Sequence, residues 1–360
     1  MERIIMQFGI YAELQNPKEA MKPYEQVYQE ILEQIEHADY RGFSTFSTLE
    51  HHWFEEFSIS TNPLALFAAA AQRTKQMHFR TCSHILPIHN PMVFAGQLAM
   101  ASILTDYRFE FAVSKGHAWT YPLASIPIEE AGDRYLEAIE IIESALSDGT
   151  VSYTGKYYSV QNVSVIPQLR EVPQILAGGV SDQNYEIAGK RGWTALITPM
   201  VPQDKIKAHI DIYKKMCKEY GHDPSIVYVQ AVYLDEDRER AIEEAKPYVE
   251  QFVRGNASPM KGSPSNKALL KHDFSYYASG LLETYANMPY ETLLDEQFVW
   301  VGSPDDIREK VEQIIEEEPS ITEIAIICTY AGMEHWKTIR TQELFSKHVM
   351  PYFQEDVHSN

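Results

Sequence analysis

The sequence predicts a closed (β/α)₈ barrel, the TIM-type α/β fold, occupying residues 1–360 as one domain. Short apolar runs, eight in all, alternate with helical patterns along the chain. Strict βα alternation makes neighbouring strands parallel, because each crossover helix returns the chain to the same edge. A length of 360 residues exceeds the usual single core but is ordinary for an α/β barrel. An open doubly wound sheet is the alternative arrangement of the same pattern.

The first run, residues 4–11, precedes a helix with apolar side chains at Val27, Tyr28, Ile31, Leu32, Ile35 and Ala38. Those positions form one face of a 3.6-residue period. Gly42 stands where a helix C-terminus wants a left-handed residue, and residues 43–49 resume as a strand. Further strands are expected at 77–86, 108–114, 174–177, 193–198, 226–234 and 321–328. Helical patterns fall at about 62–74, 91–104, 129–146, 182–190, 203–220, 238–253 and 336–349. Two segments break the alternation. Residues 150–165, with tyrosines and valines around Gly155, read as an extra hairpin after the fourth unit. Residues 255–291 are rich in Gly, Ser, Pro and Asn with weak periodicity, and are expected to form a long mobile loop, a lid, before the eighth strand.

The formal charge of −20 excludes nucleic acid and anionic membranes as natural partners, because both are polyanions. Cys82, Cys217 and Cys328 are too few and scattered for a disulfide framework or a zinc ribbon. No apolar run approaches the roughly 20 residues that span a bilayer, and residues 1–11 lack the apolar core of a signal peptide. A cytoplasmic location is expected. The helices at 62–74 and 91–104 are apolar nearly all round, which calls for cover on both sides and points to a second subunit.

A barrel of this kind places its chemistry at the C-terminal ends of the strands. There the sequence puts Glu50, His51, His52 and Trp53 after the second strand and Ser83, His84 and His89 after the third. Ser114, Lys115, Gly116 and His117 follow the fourth, and residues 178–184 (GGVSDQN) the fifth. Adjacent residues of an extended segment face opposite sides, so His51 and His52 do not chelate one ion together, and no metal-ligand spacing is present. Gly178 and Gly179, followed by Ser181 at a helix start, bring free N–H groups, a hydroxyl and the positive helix end together, with Lys115 nearby. That combination suits a phosphate dianion. The dinucleotide G-x-G-x-x-G and P-loop patterns are missing.

Several stretches taken in order resemble the bacterial luciferase-like, flavin-dependent monooxygenases. They are residues 50–57 (EHHWFEEF) with Asn62-Pro63, 86–91 (LPIHNP), 108–116 (RFEFAVSKG), 301–305 (VGSPD) and 343–352 (ELFSKHVMPY). The resemblance implies a barrel that binds reduced FMN from a separate flavin reductase and uses O₂, through a C4a-peroxyflavin, to oxidise a small organic substrate such as an aldehyde. By position it gives His51 the catalytic role, Lys115 and Arg134 the flavin phosphate, and Ser181 and Asn184 the phosphate positions after strand five, beside Gly179 and Val180. It places a non-prolyl cis peptide at Cys82-Ser83, and Ser114 where a reactive cysteine stands in the luciferase α subunit. The apolar helices 62–74 and 91–104 would serve a homodimer or a heterodimer, with cover by the chain's own loops as the alternative. The alternatives are a coenzyme F420-dependent oxidoreductase, a non-catalytic flavin-binding subunit, and a metal-dependent barrel hydrolase.

Overall fold

A computed structural model describes residues 6–198 and 200–354. In chain order the strands are β1 (Gln7–Ala12), β2 (Thr45–Thr48), β3 (His78–Ile85) and β4 (Phe109–Ser114), then the pair β5 (Thr150–Thr154) and β6 (Ser159–Ser164). They continue as β7 (Gln174–Gly178), β8 (Thr194–Ile197), β9 (Ile226–Leu234), β10 (Val299–Gly302) and β11 (Ile321–Ile327). The order β11-β1-β2-β3-β4-β7-β8 closes because β9 pairs in parallel with both β8 and β11. The eight strands expected from the apolar runs are the eight staves of this barrel. Residues 4 and 5 of the first run lie outside the described residues.

The helix Tyr24–Tyr40 (α1) buries Ile31, Gln34, Ile35 and Ala38, the face that the periodicity marked, and Gly42 follows its end at φ +84°. The expected hairpin is the antiparallel pair β5–β6, outside the barrel sheet. Helices α2 (Pro63–Ala71) and α3 (Pro91–Leu104) begin at Asn62 and Asn90, whose side chains accept backbone N–H groups of the first turn. Each buries one side, and α3 leaves Val93, Met100, Ile103 and Leu104 exposed. No helix among the described residues is long and apolar enough to cross a membrane.

Two features differ from the sequence expectation. β10 was not foreseen. It is only four residues long and lies beside the second half of β9, continuing the edge that β8 occupies along the first half. A helix Pro304–Glu317 follows it, started by a reciprocal capping box between Ser303 and Asp306. The segment 255–291, expected as a loop, is a chain of short helical turns: the end of Arg238–Ala257, then Ser258–Gly262, Asn266–Lys271, Ser275–Ala278, Leu281–Ala286 and Tyr290–Asp295. Runs of four to six residues are too short to show a helical period, which is why composition alone reads as loop. Leu269, Phe274, Tyr277 and Leu282 pack onto Ala118, Trp119 and Tyr121 from the loop after β4, so the segment covers the mouth of the barrel.

The opposite end of the barrel interior is ionic. Arg80 of β3 meets Glu323 of β11 at 2.7 Å and Glu110 of β4 at 2.8 Å, all three buried. β1 and β2 separate β3 from β11, so this pair spans the lumen. Gly9 of β1 makes room for it: a Cβ there would stand 2.5 Å from Glu323 Oε1.

Candidate active site

A cavity of about 430 Å³ opens at the C-terminal ends of the strands, within the size range of small-molecule and cofactor sites. Tyr11 and Glu13 line it from β1, Cys82 and Ser83 from β3, residues 114–117 from β4, and residues 178–182 with Asn184 from β7 and the helix that follows. Asp273, Phe274, Tyr276 and Tyr277 close it from the covering segment. Tyr276 donates to the Met200 carbonyl at 2.6 Å, tying that cover to the loop after β8.

Of the residues singled out from the sequence, Cys82, Ser83, Ser114, Lys115, Gly179, Val180, Ser181 and Asn184 all line this cavity. The Cys82–Ser83 peptide is cis. Lys115 Nζ donates to Asp273 Oδ2 at 2.6 Å, and Ser181 Oγ lies 3.4 Å from the same oxygen. Ser181 holds the N-cap position of helix Asp182–Arg191 but makes no side-chain cap there, leaving its hydroxyl to this carboxylate. Gly179 has φ +110°, a left-handed backbone with space where a side chain would stand. Asn184 donates to Gly178 O at 2.5 Å, while its Oδ1 is buried without a partner. Lys115 and Ser181 thus converge on one carboxylate, which belongs to the chain's own cover.

His51 and Arg134 are not brought to the cavity wall. His51 is fully buried and packs on Phe57 and His117, both of which line the cavity, with ring centroids 4.3 and 5.6 Å away. Trp119 Nε1–H donates to its Nε2 at 3.0 Å, which puts the ring proton on Nδ1. Burial, then the neighbouring His117, holds this imidazole well below its usual range, so it is neutral at pH 7. Arg134 is engaged elsewhere, by Glu130 at 2.7 Å, by Tyr158 and over the Tyr157 ring.

The histidines gathered at the mouth form two groups. His52, His84 and His89 all bond to Glu50, at 2.9, 3.1 and 2.8 Å. Burial alone would raise the Glu50 carboxyl, but these three imidazoles hold it well below the usual carboxylate range. Among the described residues no group of three or more His, Cys, Asp or Glu is arranged to hold a metal ion. His117 belongs to the second group. It stacks on Trp119 with centroids 4.5 Å apart, and burial pushes it down to about 4.

Sequence reasoning passed over Glu13, Asn256 and Asp273, all of which line the cavity. Glu13 had a readable signal, an acid directly after an apolar strand on the side where barrels place their chemistry. Asn256 and Asp273 had none, because they reach the site from the covering segment.

The luciferase-like monooxygenase family matches residues 6–319 of the chain. The alkanal monooxygenase alpha chain of Aliivibrio fischeri is 23% identical over 325 residues, covering 87% of this chain and 90% of that protein. In three dimensions the chain is similar to the FMN-bound oxygenating constituent of 3,6-diketocamphane monooxygenase from Pseudomonas putida, with a TM-score of 0.77, 19% identity and coverage of 96% and 98%. It is also similar to an F420-dependent secondary alcohol dehydrogenase, with a TM-score of 0.71, 18% identity and coverage of 97% and 99%. The match over most of its length, on a barrel with this cavity, makes the chain a member of the luciferase-like monooxygenase family.

Proposed function

We propose that the chain is the oxygenase of a two-component flavin system. It binds reduced FMN delivered by a separate reductase and uses O₂ to oxidise a small organic substrate, an aldehyde or another carbonyl compound. The observation that carries this reading is the convergence of Lys115 Nζ and Ser181 Oγ on one anionic oxygen, Asp273 Oδ2, beside the cavity. The carboxylate stands in for a phosphate oxygen, so the cradle these groups form fits the flavin's anionic end. Lys115, Ser181 and the backbone N–H groups at Gly179 and Val180 would hold the phosphate. The wall formed by the Cys82–Ser83 peptide and Ser114 would receive the ring system.

When bound, the flavin supplies the electrons and the activation of O₂. The chain positions it and keeps water away, the latter through Phe274, Tyr276 and Tyr277 of the covering segment. Movement of that segment would admit substrate. His51 meets the cavity through Phe57 and His117, so its role in this reading is to hold those two rings in place. The exposed apolar residues of α3 belong to a homodimer contact that also uses α2, and enzyme and reductase share the cytoplasm.

Anaerobic titration with FMN, reduced FMN and F420 tests the proposal. Reduced FMN is expected to bind one per chain, and Lys115→Ala to weaken it about 10- to 100-fold, the size of a charge-assisted hydrogen bond. A preference for F420, or no flavin binding, would overturn the oxygenase reading.

A further inference from the structure

Glu13 directly follows β1, lines the cavity beside Tyr11 and is 5% exposed. The other two acids on the cavity wall, Asp182 and Asp273, have side chains 70% and 65% exposed. Glu13 is therefore the one buried carboxyl among the described lining residues. Its hydrogen bonds are one-sided. Oε2 accepts Gln15 Nε2 at 3.1 Å and Asn256 Nδ2 at 3.0 Å, and Oε1 has no partner among the described residues. The titratable groups that face it are the phenols of Tyr11 from its own strand and Tyr330 from beyond β11, and among the described residues no cation pairs with it.

From this arrangement we infer that Glu13 is the proton donor of the cavity, a neutral carboxylic acid whose Oε1–H is offered to the oxygen atom that gains a proton in the reaction. A carboxyl withdrawn from water without a cation favours its uncharged form. In that form the carbonyl oxygen accepts the two amides, and the hydroxyl, on the oxygen with no protein acceptor, is free to donate. Burial pushes the group up to about 8, against the lowering effect of the Asn256 and Gln15 hydrogen bonds. Glu50 supplies the contrast, since it is equally buried and held ionised by three imidazoles. The imidazoles near the cavity do not compete for this role. His51 and His117 are both kept neutral by burial and carry no acidic proton to give at pH 7, and burial likewise lowers His209 on the cavity wall, whose Nε2 is 3.2 Å from Asp182.

The assignment rests on the proposed oxygenase chemistry and names the acid in it. Substrate, O₂ and the two hydrogens of the reduced flavin become oxygenated product, water and oxidised flavin. One oxygen atom enters the substrate and the other must be protonated to leave as water. Glu13 breaks its Oε1–H bond as that new O–H bond forms, and its carboxylate recovers a proton released on reoxidation of the flavin. Hydride transfer to a carbonyl would use the same acid, because the carbonyl oxygen then gains the proton.

The test uses the full chain and Glu13→Gln. Infrared difference spectra of the flavin-free protein should show a protonated-carboxyl band at pH 7 that disappears with a midpoint near 8 and is missing from the variant. With reduced FMN and O₂, the wild-type single-turnover rate should fall as pH rises through that midpoint. Glu13→Gln should lose about 10²- to 10⁴-fold in rate, the usual contribution of a general acid, and lose that pH limb, while reduced-FMN affinity stays within about threefold. Absence of the band, or a variant with unchanged rate and pH profile, overturns the assignment. Failure of both flavins to bind with the band still present would sink the oxygenase reading and leave the neutral acid standing. Near-ultraviolet circular dichroism checks that the variant is folded.

Discussion

At the N-terminal end of the barrel, Arg80 sits between two buried glutamates at 2.7 and 2.8 Å, whereas at the C-terminal end the buried Glu13 has two amides as its hydrogen-bond partners and no cation among the described residues. The same β-strands build both ends. At the floor, charge is matched by charge across the lumen, and the attraction of Glu110 and Glu323 overrides burial to raise the Arg80 guanidinium above its usual range. At the mouth, polar atoms are left unmatched: Asn184 Oδ1, His117 Nδ1 and the free oxygen of Glu13. A closed barrel can pair its charges at the floor because nothing has to enter there, and of the Arg80 guanidinium only Nε is left without a partner. Its mouth must keep donors and acceptors unpaired for a ligand to use, and burial then shifts their proton affinities.

This contrast predicts unequal responses to mutation. The largest loss of stability is expected at the floor. Arg80→Ala strips the cation from two buried carboxylates and should cost about 3–5 kcal/mol in urea unfolding. A loss under about 1 kcal/mol would show that water reaches the floor and that the two ends are alike. At the mouth, Trp119→Phe removes the donor to His51 Nε2 and should cost about 1–3 kcal/mol, the range for one buried unsatisfied acceptor. The effect should shrink at acid pH, because the lost acceptor can then take a proton. The smallest effect belongs to Asp273, whose side chain is largely exposed. Asp273→Asn removes the carboxylate that competes for Lys115 and Ser181, so inorganic phosphate should bind roughly 3- to 10-fold more tightly by isothermal titration. Unchanged phosphate affinity would mean that the cradle is not held by its own cover.

Much of this arrangement can be traced to local sequence. The eight staves were legible because each is a short apolar run next to a strongly periodic helix, as α1 shows at Ile31, Ile35 and Ala38. The cradle residues after β4 and β7 were legible because barrel topology sends all strand ends to one side. β10 was not, since four residues carry no period and its pairing with the far half of β9 is non-local. The short helices of the covering segment escaped for the same reason.

Side-chain roles at the mouth divide along a similar line. Sequence position brought His51 to the right end of the right strand, but only packing decided that Phe57 and His117 stand between it and the cavity. Arg134 likewise carries the right charge on a nearby helix, and its partners Glu130 and Tyr158 hold it away from the cavity wall. The sequence by itself determined the barrel, the end to which its strand ends point and the glycine-bearing turn after β7, because each follows from local periodicity and chain direction. Only the tertiary structure decided that Glu50 is held ionised and Glu13 left without a cation. Proton affinity depends on what surrounds a buried group in three dimensions, and those neighbours come from distant parts of the chain.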